Sequence, residues 1–342
     1  MTVSKLIRPI GLSLCSLLLV ACGDGAEDAD KDQQAVCTEL PPLAEKDTYK
    51  VGFAQLYEEK GPWRDANTAS MLDEAEARGY EMVFDPGTSP DPAEQVARMD
   101  ALIAAKVDAI FMAPHDETVL APSVVKARRA CIPTFLVDRA VDDRVAKPGK
   151  DYVSYLASDF RQEGVLAAEW LIKDTGGEAN IIELEGTVGS SPAILRKEGF
   201  DETIAEHEGM KILASESADF NEDQAYEATK RLVEEHPSVN VIYSHNDGMS
   251  FGVITALEEM DLVPGVDVKI VSIDGTRKAI EYILPDGGEK INVVVECNPK
   301  FGPIAFDTME AYAKGEEVPL RVNNVDRVFD KDSAQAYLPE AY

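Results

Sequence analysis

A chain of 342 residues with 63 Asp and Glu against 33 Lys and Arg has a formal charge of −30. Proteins that bind nucleic-acid backbones present basic surfaces, so this balance excludes nucleic acid as an expected partner. The part of the chain that follows the N-terminal segments described below is longer than a single hydrophobic core usually organises. Its length therefore predicts two lobes.

The first 21 residues have the features of a secretion signal. Lys5 and Arg8 precede a nearly continuous apolar run that ends at Ala21, and this run is too short for a permanent membrane span. The motif LVACG at residues 19–23 resembles the bacterial lipobox, in which cleavage precedes the cysteine and the cysteine is lipidated. We predict a signal peptide and lipidation at Cys22. The alternative is an ordinary signal peptide with an incidental cysteine.

Residues 22–48 are acidic and poor in large apolar side chains, which predicts a flexible tether whose lipid is the only membrane contact. Cys37 lies in this tether, Cys131 precedes a predicted strand and Cys297 follows one. Export permits disulfides, but the sequence alone assigns none. We interpret Cys131 and Cys297 as small buried residues. The sequence has no CxxC motif and no Cys/His cluster, so it predicts no metal site.

From residue 49 onward, short apolar runs alternate with longer helical patterns. The predicted strands are 49–55, 80–85, 107–113, 132–137, 152–157, 179–184, 210–215, 239–244, 268–273, 290–296 and 320–329. The predicted helices are 63–78, 92–106, 119–130, 161–173, 193–206, 223–235, 249–260, 277–284 and 303–314. Apolar strands alternating with amphipathic helices are typical of parallel sheets covered on both faces. Two successive series predict an α/β fold with two similar doubly wound lobes.

Polar side chains follow the ends of many predicted strands, where parallel sheets bind ligands. They are Gln55, Asp85, His115, Asp138, Arg139, Ser158, Asp159, Glu185, Thr187, Asp219, His245, Asn246, Asp247, Asp274, Glu296 and Asn298. Such paired donors and acceptors suit vicinal hydroxyl groups. The alternatives are a surface ion pair for Asp138 and Arg139, and helix caps for Asp247 and Asp274.

Arg196 follows a glycine-bearing turn at residues 186–191 and is predicted to face the cleft between the lobes. The turn lacks the Lys-Ser/Thr pair of a P-loop, so it predicts no nucleotide site. Trp63, Phe160 and Phe220 are candidate apolar walls for a ligand ring, with core packing as the alternative. His115 and His245 are interpreted as loop or cleft hydrogen-bonding residues.

Catalytic signatures are missing from the sequence: it contains no Gly-x-Ser-x-Gly elbow, HExxH motif or Cys/His pair. We therefore predict a binding protein, without catalytic residues or cofactors. The many carboxylates leave a glycosidase open as an alternative, because the sequence does not give the distance between two carboxylates.

Residues 49–329 resemble the ribose-type (type I) periplasmic sugar-binding proteins of ABC importers, and among them the galactofuranose-binding proteins most. The matching motifs are VGFAQ at 51–55, WR at 63–64, VDAIF at 107–111, FLVDR at 135–139, EGTVG at 185–189, RKEGF at 196–200, DF at 219–220, SHNDGM at 244–249 and SIDG at 272–275. The resemblance implies three crossovers between the lobes. It divides them into residues 49–157 plus 297–317 and residues 158–296 plus 318–342.

The resemblance also implies roles for single residues. It implies that the hydrogen bonds to the sugar are made by Asp138, Arg139, Arg196, Asn246 and Asp274. It also implies that Phe220 stacks on the sugar and that Trp63 and Arg64 form the first-lobe wall. Three departures bear on which sugar is bound. Phe160 stands where the family usually has Asn, Glu296 stands where ribose binders have Gln, and one extra residue lies between Gln55 and Trp63.

The predicted function is capture of a monosaccharide, of galactofuranose type, by hinge closure, followed by delivery to an inner-membrane ABC permease. The protein is expected to be a monomer, anchored by its lipid in the periplasm or cell envelope. The alternatives are a sensory protein that presents its sugar to a chemoreceptor or kinase, and a carbohydrate-active enzyme.

Overall fold

The structure is a computed structural model that describes residues 36–55, 61–89 and 91–342. The predicted signal peptide, Cys22 and residues 22–35 of the predicted tether lie outside these ranges. None of the helices in the described ranges is long and apolar enough to cross a membrane.

The described residues form twelve strands and ten α-helices. The strands are β1 (Lys50–Ala54), β2 (Glu81–Phe84), β3 (Ala109–Met112), β4 (Thr134–Val137), β5 (Tyr155–Ala157), β6 (Ala179–Glu185), β7 (Met210–Ser217), β8 (Val241–Ser244), β9 (Lys269–Asp274), β10 (Val293–Glu296), β11 (Arg321–Asn323) and β12 (Val328–Asp330). The helices are α1 (Pro62–Arg78), α2 (Pro92–Ala104), α3 (Glu117–Arg129), α4 (Phe160–Thr175), α5 (Ser191–Ile204), α6 (Glu222–Glu235), α7 (Asp247–Glu259), α8 (Arg277–Ile283), α9 (Gly302–Ala313) and α10 (Ala334–Tyr337).

Two six-stranded sheets form the cores of two lobes. The first has the order β11-β5-β4-β3-β1-β2 and is parallel throughout. The second has the order β12-β10-β9-β8-β6-β7, in which only β12 is antiparallel to its neighbour. The central strands β3, β4 and β8 are buried along their whole length, which is typical of sheets with helices on both faces. The predicted fold class is confirmed.

Helix caps fix where several helices begin, directly after the strands. Side chains of Asp116, Asn221, Asn246 and Thr276 each accept a hydrogen bond from a backbone N–H in the first turn of the helix that follows. These helices therefore start at the C-terminal edges of the sheets. Short loops at this edge hold their side chains in defined positions.

The chain passes between the lobes three times, after β5, after β10 and after β11. The last crossing lies later than predicted. The single predicted strand at 320–329 is two strands on different sheets, because β11 pairs with the outer edge of β5, with Arg321 opposite Tyr155. The predicted start of the final second-lobe segment at residue 318 is therefore wrong, and the crossing follows Asn323.

Residues 36–48 pack against the first lobe, so the prediction of a flexible tether up to residue 48 is wrong for this part. A disulfide joins Cys37 to Cys131, Leu43 is 7% exposed, and the hydroxyl of Tyr312 donates to the carbonyl of Pro41. The disulfide and these few contacts order residues 36–48 although their composition is acidic. The interpretation of Cys131 as a lone buried thiol is also wrong, whereas Cys297 is free and buried as predicted.

Candidate functional site

A cleft of about 740 Å³, part of it open to solvent, lies between the C-terminal edges of the two sheets. Its lining comprises Gly61, Pro62, Trp63, Arg64, Asp138, Arg139, Pro192, Arg196, Phe220, Glu222, Asn246, Gly248, Phe251, Asp274 and Cys297. Both lobes contribute, so a ligand here touches both.

The structure brings eight of the twelve predicted ligand-binding residues together in this cleft. They are Trp63, Arg64, Asp138, Arg139, Arg196, Phe220, Asn246 and Asp274. The other four, Gln55, Asp159, Phe160 and Glu296, do not line it.

The first-lobe wall is built around an ion pair. Arg64, in the first turn of α1, places its Nη2 atom 2.8 Å from Oδ2 of Asp138. Gln55 accepts a hydrogen bond from Nη1 of the same guanidinium at 3.1 Å. Gln55 thus orients Arg64 from behind. Asp138 has a positive φ of 64°, and the hydroxyl of Tyr155 donates to its carbonyl oxygen at 2.9 Å.

The second-lobe wall is built around Arg196, whose side chain is 3% exposed. Its Nε donates to Glu163 at 2.7 Å and its Nη1 donates to the carbonyl of His245 at 2.6 Å. Its Nη2 lies 3.9 Å from Oδ1 of Asp274. Burial, and then the charge of Asp247, raises the pKa of Asp274 well above its ordinary value. Protonated Asp274 can donate a hydrogen bond as well as accept one, which suits a hydroxyl-bearing ligand.

The ring of Phe220 lies close to two of the three guanidinium groups of the cleft. The guanidinium carbon of Arg139 is 5.6 Å from the ring centre, and that of Arg196 is 5.8 Å away. A Cβ atom added at Gly186 would be 1.9 Å from this ring, so only glycine permits the position. Gly186 therefore sets the position of the aromatic wall.

Replacing Gly186 with alanine is expected to displace the Phe220 ring and weaken ligand binding about tenfold or more, the loss of a well-placed aromatic contact. Titration calorimetry of Gly186→Ala, Phe220→Ala and the double variant measures this. If Gly186 acts through the ring, the double variant binds no more weakly than Phe220→Ala. Fully additive losses would contradict that role.

The remaining predicted residues have structural roles outside the cleft. Asp159 is exposed and caps α4 by accepting from the N–H of Gln162. Phe160 is 1% exposed, and its ring lies 5.4 Å from the guanidinium carbon of Arg196. Glu296 is 1% exposed, and Arg327 donates to its two carboxylate oxygens at 2.7 and 2.9 Å. These contacts were not visible in the sequence because each partner comes from a distant segment or a helix end.

Asp247, for which binding was favoured, is a structural residue. Its carboxylate accepts hydrogen bonds from the hydroxyl of Ser272, the N–H of Gly275, and both the N–H and hydroxyl of Thr276. It holds the turn between β9 and α8. The ring of His245, interpreted as a loop or cleft hydrogen-bonding group, is buried: its Nε2 lies 3.1 Å from Glu183 and its Nδ1 accepts from the N–H of Gly186 at 3.4 Å, while its carbonyl accepts from Arg196.

Several cleft residues were missed by the sequence analysis. Pro192 and Glu222 lie in the first turns of helices that follow second-lobe strands, and Phe251 is the fifth residue of such a helix. A search of the residues after each strand end that also included the start of the following helix could have found them. Glu163 beneath Arg196 had no such signal. Burial raises its pKa, and Arg196 opposes that effect.

No cluster of three or more potential metal ligands occurs in the described ranges.

Asp326, in the third crossing, accepts a hydrogen bond from Ser158 in the first crossing at 3.0 Å. Burial, then the charges of Glu163 and Glu296, raises the pKa of Asp326 to about 8, with Arg196 opposing. The folded protein therefore holds this proton more tightly than an unfolded chain, whose Asp pKa is about 3.9. The stability from this group is complete below about pH 4 and is lost as the pH rises through about 8.

Asp326→Asn is expected to reduce the fall in melting temperature between pH 6 and pH 9, because the amide cannot ionise. Asp332→Asn, an exposed aspartate nearby, is the control and should follow the wild type. Thermal unfolding across this pH range measures both. A pH profile of Asp326→Asn identical to that of the wild type would contradict the account.

Two doubly wound lobes, three crossings and a polar interlobe cleft with an aromatic wall define a bilobal solute-binding protein. The sequence profile of the periplasmic binding protein domain matches residues 52–317. The chain belongs to this family, and its fold and homologues are those of the type I sugar-binding proteins of ABC transporters, which are not enzymes.

Two curated relatives illustrate the similarity. The galactofuranose-binding protein YtfQ of Escherichia coli is 36% identical over 292 residues, which are 84% of this chain and 89% of the relative. The ribose import binding protein RbsB of the same species is 30% identical over 254 residues, covering 72% of this chain and 79% of the relative.

Solved structures agree with these relatives. A galactofuranose-binding protein superposes with a TM-score of 0.80 at 33% identity, covering 85% of this chain and 98% of its own. A Mycobacterium smegmatis protein in complex with β-D-fucofuranose has a TM-score of 0.80 at 34% identity, covering 85% and 94%. The arabinose-binding component from Shewanella sp. ANA-3, bound to α- and β-L-arabinofuranose, has a TM-score of 0.78 at 32% identity, covering 85% and 95%.

Proposed function

We propose that this protein captures a monosaccharide in its furanose form between the two lobes and delivers it to the permease of an ABC importer. The observation that carries the proposal is the composition of the cleft. Guanidinium and carboxylate groups from both lobes and the amide of Asn246 line the cleft beside aromatic rings, among them that of Phe220. Planar polar groups bind vicinal hydroxyls in pairs, and the C–H face of a sugar lies on an aromatic ring.

The charges of the cleft favour an uncharged ligand. The guanidinium groups of Arg64 and Arg139 lie 2.8 and 3.9 Å from the carboxylate of Asp138, and that of Arg196 lies 2.7 Å from Glu163. Each guanidinium group of the cleft therefore has a carboxylate partner within the protein, whereas an anionic ligand would require one without such a partner. The relatives solved with fucofuranose and arabinofuranose support the furanose form.

The proposal includes a lipid anchor at Cys22, a monomeric state and a location in the periplasm or cell envelope. The lipobox-like motif supports the anchor. The Cys37–Cys131 disulfide supports the location, because disulfides persist in oxidising compartments outside the cytoplasm. Because the disulfide fixes Cys37 on the first lobe, the linker from the lipid to the lobe is no longer than residues 23–36. Labelling with a radioactive or clickable palmitate tests the anchor, with Cys22→Ser as the unlabelled control.

Thermal unfolding of residues 36–342 against a panel of monosaccharides tests the binding function. The panel is D-galactose, D-fucose, L-arabinose, D-ribose and D-fructose. A sugar that binds only the folded protein raises the midpoint in proportion to the logarithm of its concentration above Kd. We expect such a rise for at least one sugar. No rise with any member up to millimolar concentration would contradict the proposal for these sugars.

A further inference from the structure

The two lobes touch each other directly at residues that do not line the cleft. The hydroxyl oxygen of Ser191, on the second lobe, accepts a hydrogen bond of 2.9 Å from the N–H of Ala140 on the first lobe. A second bond of 3.3 Å runs from the N–H of Glu117 on the first lobe to the carbonyl of Gly189 on the second. Both bonds require the lobes to be close together.

Ser191 reaches the segment that holds the first-lobe sugar-binding candidates. The carbonyl of Asp138, in the same segment, accepts a hydrogen bond of 2.9 Å from the hydroxyl of Tyr155. The segment 138–140 is therefore held by Ser191 at Ala140 and by Tyr155 at Asp138. The segment contains the left-handed backbone of Asp138, a conformation that requires support from its surroundings.

Ser191 is well placed for this contact and has little other use. It is the first residue of α5 and is 1% exposed. The side chain of its neighbour Ser190 stays within the second lobe, where it donates to the carbonyl of Thr187. Of these two adjacent serines, only Ser191 has a hydroxyl that makes a hydrogen bond to the other lobe.

We propose that Ser191 is a positioning residue that couples lobe closure to the geometry of Asp138 and Arg139. Its hydrogen bonds to the first lobe form only when the lobes meet, so they stabilise the closed form over the open form. They also hold the segment 138–140 in the shape that presents Asp138 and Arg139 to the ligand. This inference rests on the proposed sugar-binding function.

The kinetic consequence distinguishes this role from a general structural one. Ligand binds to the open form, where Ser191 has no first-lobe partner, so Ser191→Ala should leave the association rate unchanged. Dissociation requires the lobes to open, and opening is easier without these bonds. We expect the dissociation rate, and with it Kd, to rise about tenfold, as for the loss of one or two hydrogen bonds.

Stopped-flow measurements with the sugar found in the thermal panel test this expectation. Ser190→Ala is the matched control, because it removes a hydroxyl that stays within the second lobe, and it should keep the wild-type dissociation rate. Tyr155→Phe and the double variant with Ser191→Ala complete a cycle, in which the losses should be less than additive. A dissociation rate of Ser191→Ala equal to that of Ser190→Ala would overturn the proposal. A change confined to the association rate would also overturn it.

A measurement without ligand separates this proposal from the proposed function. Spin labels at Lys150→Cys on the first lobe and Lys211→Cys on the second, both exposed positions, report the distance between lobes by double electron–electron resonance. Ligand-free wild type and Ser190→Ala should share a short-distance population that Ser191→Ala reduces several-fold. If no sugar binds the wild type, the proposed function fails, and this comparison still decides the role of Ser191. Identical distance distributions in all three proteins would overturn that role.

Discussion

Asp138→Asn is expected to raise the Kd for sugar about a hundredfold while the protein stays folded. The carboxylate pairs with Arg64 at 2.8 Å and faces the cleft, where it can accept two sugar hydroxyls. Hydrogen bonds to a charged group contribute about 1.5–3 kcal/mol each, and the amide replaces one strong acceptor with a donor. The expected loss is about 3 kcal/mol of binding free energy, which is about a hundredfold in Kd.

Asp143→Asn is the matched control for this substitution, because Asp143 is exposed, lies five residues away and does not line the cleft. It should bind with wild-type affinity. Titration calorimetry measures the affinities, and circular dichroism confirms that both variants are folded. Wild-type affinity in a folded Asp138→Asn would place the ligand away from the first-lobe wall.

Removal of the Cys37–Cys131 disulfide is expected to lower the free energy of unfolding by about 2–5 kcal/mol. The bond closes a loop with a sequence separation of 94 residues, and long loops lose the most chain entropy when closed. Without the bond, residues 36–48 are held only by contacts such as those of Leu43 and of Lys46 with Asp108. Denaturant unfolding of the variant Cys37→Ser/Cys131→Ser measures the loss.

Reductant provides the control for this experiment. It should lower the stability of the wild type to about that of the double serine variant, and it should not affect the variant itself. Sugar affinity should change little, because Cys37 and Cys131 lie outside the cleft. Equal stability of oxidised and reduced wild type would show that the bond does not form in the protein.

Local patterns predicted most of the fold and the polar centre of the site. Asp138, Asn246 and Asp274 lie at or within two residues of the C-terminal ends of buried strands, and the ends of parallel strands meet at one edge. Their place in the cleft therefore followed from chain order alone. The resemblance to a family added Arg64, and it gave the aromatic candidates Trp63 and Phe220 specific roles that no local pattern indicates.

The errors in the sequence analysis share a physical cause, which is a competing partner distant in the chain. Glu296 follows a strand, but Arg327 from the third crossing binds its carboxylate. Cys131 bonds to a cysteine 94 residues away, a pairing that no local pattern contains. Strand β11 has only three residues, and it belongs to the first sheet because it pairs with the outer edge of β5.

The central claim, that a sugar binds between the lobes, is tested most directly by the fluorescence of Trp63. The chain has two tryptophans, and Trp170 lies on α4 outside the cleft, bonded to Asp330. In Trp170→Phe, all tryptophan emission comes from Trp63 in the cleft wall. We predict a saturable change in this emission with the bound sugar, at the Kd measured by calorimetry, which shifts about a hundredfold when Asp138→Asn is added. Calorimetric binding with no change in Trp63 emission and no effect of Asp138→Asn would contradict the claim.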